Sequence, residues 1–314
     1  MITFGPVPSR RLGKSLGINN IMSPKRCTYG CVYCQVGKTI NKTQRRDSYY
    51  SPGLIYEKVI KHLSSLSNDG YPDYLTFVSN GEPTLDKNLG KSIKLLKTIG
   101  IPIAVISNAS LLFMDSVRED LMLADWVSLK VDAGDVITWY MINRPAAGLD
   151  FETIIVNIKL FRKMYRGRLC TESMIVKGIT DLNENISDLA ETIKEINPWK
   201  AYLTIPTRPP AEKFVKLPEP EKLNHVWQIF SRMRIKTEFL IGFEGTDTGY
   251  TGNIYEDILN ITAVHPLRED ALLKLLSNDN AGYSVVESLI RQHLIKSIIY
   301  EGKRFFMRDY HPVF

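Results

Sequence analysis

A chain of 314 residues, 44% hydrophobic and 24% charged, has the balance of a globular protein long enough for one large α/β domain and a small appendage. No run of eighteen apolar residues offers a membrane span and the N-terminus has no charged-then-apolar leader, while three of the four cysteines crowd into one segment, so neither a membrane protein nor a disulfide framework is expected and the cytoplasm is the predicted compartment. The net charge of +6 is mild but uneven: within residues 1–60, ten basic side chains (Arg10, Arg11, Lys14, Lys25, Arg26, Lys38, Lys42, Arg45, Arg46, Lys58) face only Asp47 and Glu57. Either these form a solvated basic surface or they draw a polyanion, with nucleic acid the first candidate.

In chain order, strand-like apolar runs fall at 16–21, 74–79, 101–107, 126–131, 169–177 and 201–205, with a further one at 237–241. Amphipathic stretches of helical period separate them, at 54–66, 89–99, 116–124, 151–164, 185–196 and 220–233. This alternation predicts an α/β fold of parallel strands covered by helices, and six such units fit a partial (β/α)6 barrel. Chemistry in barrels sits at the C-terminal ends of strands. The loop after the first strand holds Cys27-Thr28-Tyr29-Gly30-Cys31-Val32-Tyr33-Cys34, which supplies three thiols and no fourth. A closed zinc site wants four ligands, whereas three thiolates can hold three corners of a [4Fe-4S] cluster and leave one iron open.

Later strand ends carry further candidates. Ser79-Asn80-Gly81-Glu82-Pro83-Thr84 follows the second strand, and Ser107-Asn108-Ala109-Ser110 follows the third with polar groups suited to ribose or carboxylate. The fourth strand places Ser128, Lys130 and Asp132 on one face, which is expected to point inward because Val127, Leu129 and Val131 suit the helix layer. Lys130 and Asp132 can pair, and a desolvated lysine can serve as base or donor. Cys170 reads as a small core residue. Ile142-Asn143-Arg144-Pro145 reads as a proline-stopped turn, and Thr207 and Arg208 sit on a proline-stiffened loop after the sixth strand. Arg144 and Arg208 are candidate anion clamps.

From about residue 250 the texture changes. A Gly- and Thr-rich linker at 245–252 leads into helical patterns at 254–264, 268–276 and 284–293, then strands at 295–300 and 304–308 around Glu301-Gly302-Lys303. The order resembles a winged helix, giving a predicted division into a core of residues 1–245 and a winged-helix-like domain of residues 246–314. Its third helix and wing carry Arg291, Lys296, Lys303, Arg304 and Arg308, placed to bind nucleic acid or to dock a protein.

The Cys27–Cys34 spacing, Tyr33 before the last cysteine, and Asn80-Gly81-Glu82-Pro83 about fifty residues on resemble the radical S-adenosylmethionine (SAM) superfamily, with Asn80 in the first glycine slot of its GGEP segment. The resemblance implies a TIM-like (β/α)6 radical SAM barrel, a [4Fe-4S] cluster on Cys27, Cys31 and Cys34, and SAM as second cofactor. It also implies that Tyr33 lies against the adenine, that the Asn80–Pro83 segment holds the methionine amino group, and that backbone near Ile175 and Lys177 contacts adenine. Ser107, Asn108, Ser128 and Lys130 complete the expected SAM site, and Lys130, Asp132 and Arg208 are the candidate catalytic residues. Gly5-Pro6-Val7-Pro8-Ser9-Arg10-Arg11-Leu12-Gly13 and Thr207–Glu212 further resemble the group related to archaeal wyosine synthases, which build a tricyclic guanine in tRNA. No cysteine precedes Cys27, however, so the extra N-terminal cysteines of that group are missing and its product does not carry over. The expected function is radical modification of a tRNA or other RNA base, served by an electron donor such as flavodoxin or ferredoxin. Action on a protein, peptide or small metabolite, with the tail as docking module, and a cluster-bearing DNA-binding sensor are the alternatives.

Overall fold

In the computed structural model, residues 2–66, 70–242 and 244–309 are described. Eight strands form one sheet in chain order: β1 (Thr3–Ser9), β2 (Gly13–Ile18), β3 (Tyr74–Phe77), β4 (Ile103–Ser107), β5 (Trp126–Lys130), β6 (Arg168–Met174), β7 (Lys200–Thr204) and β8 (Thr237–Leu240). β2 through β8 pair in parallel, and β1 closes the leading edge antiparallel to β2. The intervening helices are α1 (Pro52–Ser65), α2 (Leu89–Leu96), α3 (Asp115–Met122), α4 (Val136–Asn143), α5 (Phe151–Met164), α6 (Asn183–Ile196) and α7 (Pro220–Arg232).

Alternation along the strands decides what each face buries. Leu75, Phe77, Ile103, Val105, Val127, Leu129, Leu169 and Leu203 form one cluster with the helix stripes Ile55/Val59/Leu63, Leu89/Ile93/Leu96, Ile154/Ile158/Phe161 and Ile186/Leu189/Ile193. Each such large side chain contributes roughly 1.5–3 kcal/mol by leaving water. On the opposite face Leu12, Ala104, Trp126, Cys170, Tyr202 and Leu240 touch one another. Side chains from β4 through β8 can meet on one face only if the sheet curls around them, which is the open barrel expected from the alternation. Cys170 belongs to this inner packing, and burial pushes its thiol up to about 12.

Two elements escape the sequence reading. β1 carries Pro6 and Pro8 and a register irregularity between Phe4 and Val7, so no clean two-residue alternation announces it. α4 covers part of the predicted turn at Ile142–Pro145. It buries Thr138, Trp139, Ile142 and Asn143 while exposing Val136, Ile137, Tyr140 and Met141, so apolar residues lie all round it and no stripe marks it. Asp135 caps its start by accepting from Thr138 N at 2.8 Å, and Arg144 ends it in the left-handed region at φ 45°.

The tail runs α8 (Ile254–Thr262), β9 (Leu267–Arg268), α9 (Glu269–Asn278), α10 (Ser284–Arg291), β10 (Ile295–Tyr300) and β11 (Lys303–Arg308), with sheet order β10-β11-β9. Ile258, Ile261, Leu272, Leu275, Val286, Leu289 and Phe306 form its core, into which Phe4 of β1 also packs. Gly17 of β2 makes room for that ring, since a Cβ there would lie 2.1 Å from the Phe4 ring. Gly249, inside the predicted linker, donates to Pro6 O at 2.7 Å, and the Tyr300 hydroxyl donates to Pro206 O at 2.6 Å. The tail is thus fastened to both β1 and the loop after β7.

Candidate active site

The cysteine loop leaves β2 and rests on the segment that follows β3. Glu82 N donates to Arg26 O at 3.0 Å, and a Cβ on Gly81 would lie 1.8 Å from that same carbonyl oxygen. Only glycine permits this approach. Asn19 and Asn20, just past β2, hold the segment from the other side. Asn80 N donates to Asn19 Oδ1 at 3.2 Å, Ser79 Oγ to Asn20 Oδ1 at 2.6 Å, and Asn20 Nδ2 to Pro83 O at 3.0 Å. Arg46 binds the far end, donating to Thr84 O and Asp86 O at 2.8 Å each and pairing with Asp120. Its guanidinium is committed to the fold, so the cations of residues 1–60 do not all serve one outer surface.

Glu82 is buried, and burial raises its pKa against the pull of its donors. Oε1 accepts from Thr84 Oγ1 and Ser107 Oγ at 2.7 Å each, and Oε2 accepts from Asn108 N at 2.8 Å. Ser107 gives its hydroxyl proton to Glu82. Asn108 reaches back to the cysteine loop, its Nδ2 lying 2.7 Å from Thr28 Oγ1 and 3.5 Å from Cys27 Sγ.

Cys27, Cys31 and Cys34 carry free thiols. Each sulfur meets a donor: Asn108 and Tyr29 N (3.5 Å) at Cys27, Asn143 Nδ2 (3.4 Å) at Cys31, and Lys25 Nζ (3.1 Å) at Cys34. Burial pushes the Cys27 thiol up to about 11 and the Cys31 thiol up to about 12. Burial opposes charge on Lys25, but Cys34 and Cys27 hold its pKa above the usual value. Among the described residues no three His, Cys, Asp or Glu side chains close on a single ion. Three thiols spread along one loop, each with a donor to offset thiolate charge, fit a polynuclear iron–sulfur cluster. Asn80 Oδ1 is buried without a hydrogen-bond partner beside this loop, an acceptor that fits an amino-group donor such as SAM carries.

Beneath the loop runs an ionic ladder across β5 and β6. Lys130 pairs with Asp132 Oδ1 and Glu172 Oε1 at 3.4 Å each, and Arg11 pairs with the other Glu172 oxygen. Asp132 also accepts from the Tyr33 hydroxyl, from Asn143 Nδ2 at 2.7 Å and from Met174 N at 2.8 Å. Lys130 Nζ lies 4.9 Å from the centre of the Tyr33 ring. Ser128, Lys130 and Asp132 thus share the inner face, and Tyr33 joins them. Burial opposes charge on Lys130, yet Asp132 and then Glu172 raise its pKa above the usual value, which favours the donor of the two roles open to it. Ser128 Oγ is buried without a partner.

Burial alone would raise the Glu172 carboxyl, but Arg11 and then Lys130 bring it down from 4.5 to about 2. A carboxyl lowered in the folded state adds stability that is present above 4.5 and lost as pH falls toward 2. Glu172→Gln should lower unfolding stability at pH 7 by about 3–5 kcal/mol, as expected for breaking a buried pair. The gap between native protein and variant should then shrink on acidification through that window. Urea unfolding followed by circular dichroism measures it, and a pH-independent gap would show that the pairing does not set stability.

The remaining candidates have the following partners. Ile175 is buried in the helix-facing core, with its N–H given to Thr204 O at 2.8 Å. Lys177 is exposed and paired with Glu219, the N-cap of α7, which removes its ammonium from the inner face. Arg144 pairs with Glu212 at 2.6 Å. Arg208 binds Glu244 Oε1 at 2.5 Å and Gln35 Oε1 at 3.1 Å. Asn19, Asn20, Lys25, Asn143 and Glu172 are the structural partners that sequence reasoning did not single out as site residues. A strand-end position could have marked the asparagine pair, but Asn143 became visible only once α4 was known to be a helix pointing at the cysteine loop.

The profile of the family described as the Radical SAM superfamily matches residues 21–196. The UPF0026 protein MJ1312 of Methanocaldococcus jannaschii is 45% identical over 310 residues, covering 98% of this chain and 96% of that protein. A UPF0026 protein of Helicobacter pylori is 34% identical over 224 residues, covering 71% of each. Among solved structures, a radical SAM methyltransferase from Sphaerobacter thermophilus is similar in fold, with a TM-score of 0.56 at 14% identity over 72% of this chain and 66% of that one.

Proposed function

Since the chain belongs to the radical SAM superfamily and is an enzyme of that class, we propose that it modifies a base of tRNA or another RNA through a [4Fe-4S] cluster and SAM. The observation that supports the cofactor reading is the close seat of Gly81 on the Arg26 backbone just before Cys27, together with the unpartnered Asn80 acceptor on the same segment. Cys27, Cys31 and Cys34 would each hold one iron, leaving the fourth open. When bound, the cluster supplies the electron that splits SAM into methionine and a 5′-deoxyadenosyl radical, which takes hydrogen from the substrate.

The protein's own part is binding, orientation and exclusion of water. Asn80 accepts from the SAM amino group, and Glu82 fixes Asn108 beside Cys27. Tyr33 offers its ring to the adenine. Asp132 holds that ring by its hydroxyl, while Lys130 stands over it as a fixed cation. Backbone near Ile175 lies at the end of β6, where adenine contact is expected; Lys177 contributes no side chain there. Ser128 Oγ is an inner-face donor and acceptor without a protein partner.

The nucleic-acid reading rests on the exposed cations around the cysteine loop, Arg26 and Arg45, with Lys38 paired to Glu212 and Lys42 bonded to Arg144 O and Pro145 O beside them. It rests too on residues 246–314, read as a winged-helix-like unit. The class requires a reductant, for which a flavodoxin or ferredoxin is proposed. Anaerobic reconstitution with iron and sulfide, reduction, and assay of 5′-deoxyadenosine with and without total RNA tests the reading. Product stimulated by RNA is expected. Product indifferent to RNA but raised by peptides or metabolites would overturn the RNA assignment.

A further inference from the structure

A separate cavity of about 100 Å³ lies where the tail meets the C-terminal edge of the barrel sheet. That is room for a group of several heavy atoms, since one water takes about 30 Å³ in the liquid. Thr207 and Arg208 line it from the loop after β7, Glu244 from the segment after β8, His265 and Arg268 from the turn before α9, and Lys303 from β11. Its charge is unbalanced. Glu244 is the only carboxylate in the wall, and it is shared by Arg208 and by Arg10, whose Nη2 lies 3.1 Å away. Arg268 is paired with Asp270, which lies outside the lining. The Lys303 ammonium is exposed and has no hydrogen bond or ion pair among the described residues. Among the described residues that line the cavity, Arg208, Arg268 and Lys303 stand against the one carboxylate of Glu244, and Arg10 and Asp270 just outside it cancel, so the wall is positive overall.

The imidazole of His265 sharpens the site. Burial, with Arg208 beside it, holds its pKa down at about 3, so the ring is neutral. Its Nε2 lies 3.1 Å from Arg208 Nη2, which carries only protons, so Nε2 accepts and the ring proton sits on Nδ1 as a donor. Arg10 Nε is buried without a partner behind Glu244. A wall with surplus positive charge is the reverse of what a cationic or apolar ligand needs.

We propose that this cavity is an anion subsite that takes a phosphate group of the substrate, completed by the tail through His265, Arg268 and Lys303. The inference rests on the reading of a nucleotide-bearing substrate and gives the tail a share in holding it. Its position supports that share. Gln35, the residue after Cys34, accepts from Arg208 Nη1 at 3.1 Å and donates to Val264 O at 3.1 Å, so one side chain ties the cysteine loop to the cavity wall and to the tail. A phosphate held there is linked through Arg208 to Gln35, the residue that follows Cys34.

The test uses the full chain with its cluster reconstituted, in phosphate-free buffer, titrated calorimetrically with orthophosphate. Saturable binding is expected, weakened about tenfold or more in Lys303→Glu and retained within about threefold in Lys303→Arg, as a charge-assisted contact at an exposed position predicts. Lys303 has no partner to lose, so neither variant should disturb folding. No saturable binding by the native protein, or equal binding by Lys303→Glu, overturns the proposal. Two further arms identify the bearer of the phosphate. Displacement of a short RNA by orthophosphate points to a polynucleotide, and displacement of adenosine monophosphate alone points to a mononucleotide; displacement of neither overturns a substrate role. The same preparations are assayed for 5′-deoxyadenosine. SAM cleavage without phosphate binding removes only the subsite, and phosphate binding without SAM cleavage removes only the proposed chemistry.

Discussion

Cys31→Ala should produce a folded protein that assembles no four-iron cluster and forms no detectable 5′-deoxyadenosine. Cys31 is half-buried in a loop whose backbone is fixed elsewhere: Gly30 N donates to Asn143 O at 2.9 Å, Val32 N to Ile142 O at 3.0 Å and Cys34 N to Cys31 O at 3.1 Å. Losing one sulfur leaves those bonds in place. It deletes one of only three thiols on the loop, and no other Cys, His, Asp or Glu among the described residues completes a ligand group there. Cys170 cannot substitute, because it is sealed in the inner packing of the sheet. Iron and sulfide content, the visible absorption of the reconstituted protein and product assay together check the outcome. Deoxyadenosine production retained by a variant that folds would refute the assignment of this loop as the cluster site.

Gly81→Ala is the second large effect, and it separates geometry from ligand chemistry. The added methyl would meet Arg26 O at 1.8 Å and the Arg26 carbonyl carbon at 2.8 Å, both backbone atoms that no rotamer change can move. Either the cysteine loop or the segment Asn80–Pro83 must withdraw. Overpacking of this kind costs about 1–3 kcal/mol of stability. The larger consequence is at the site. Shifting Glu82 breaks its bond to Arg26 O and moves its contacts to Ser107 and Asn108, and Asn108 in turn sits on Cys27. A displacement near 1 Å can cost about 100-fold in rate. The variant should therefore bind iron through its three intact cysteines yet cleave SAM about 100-fold more slowly, with weaker SAM binding by calorimetry. Native activity in Gly81→Ala would mean that the two segments do not need to touch.

Several residues singled out from the sequence found unexpected partners. Arg46 looked like part of a basic substrate surface and instead clamps Thr84, Asp86 and Asp120. Lys177, expected to meet the adenine through its backbone, gives its side chain to Glu219. Arg208, expected as an anion clamp at the barrel top, forms a wall of the tail cavity with Glu244 and His265. A cation's position in the chain records its charge but not its partner, and these partners lie 36 to 74 residues away for the Arg208–Glu244 and Arg46–Asp120 pairs.

By itself the sequence determined the strand–helix alternation, the parallel sheet, the cysteine loop after the first strand of that parallel series, and the facing of Ser128, Lys130 and Asp132. These follow from local periodicity and from spacing, which are written in consecutive residues. Tertiary structure alone decided that β1 adds an edge strand, that α4 is a helix aimed at Cys31, that Glu172 joins Lys130 and Asp132 in one ionic ladder, and that the tail closes a cationic cavity against the barrel. Each of these depends on residues distant in the chain meeting across a curled sheet or a packed interface, and burial and charge pairing act through space, where sequence order carries no record of them.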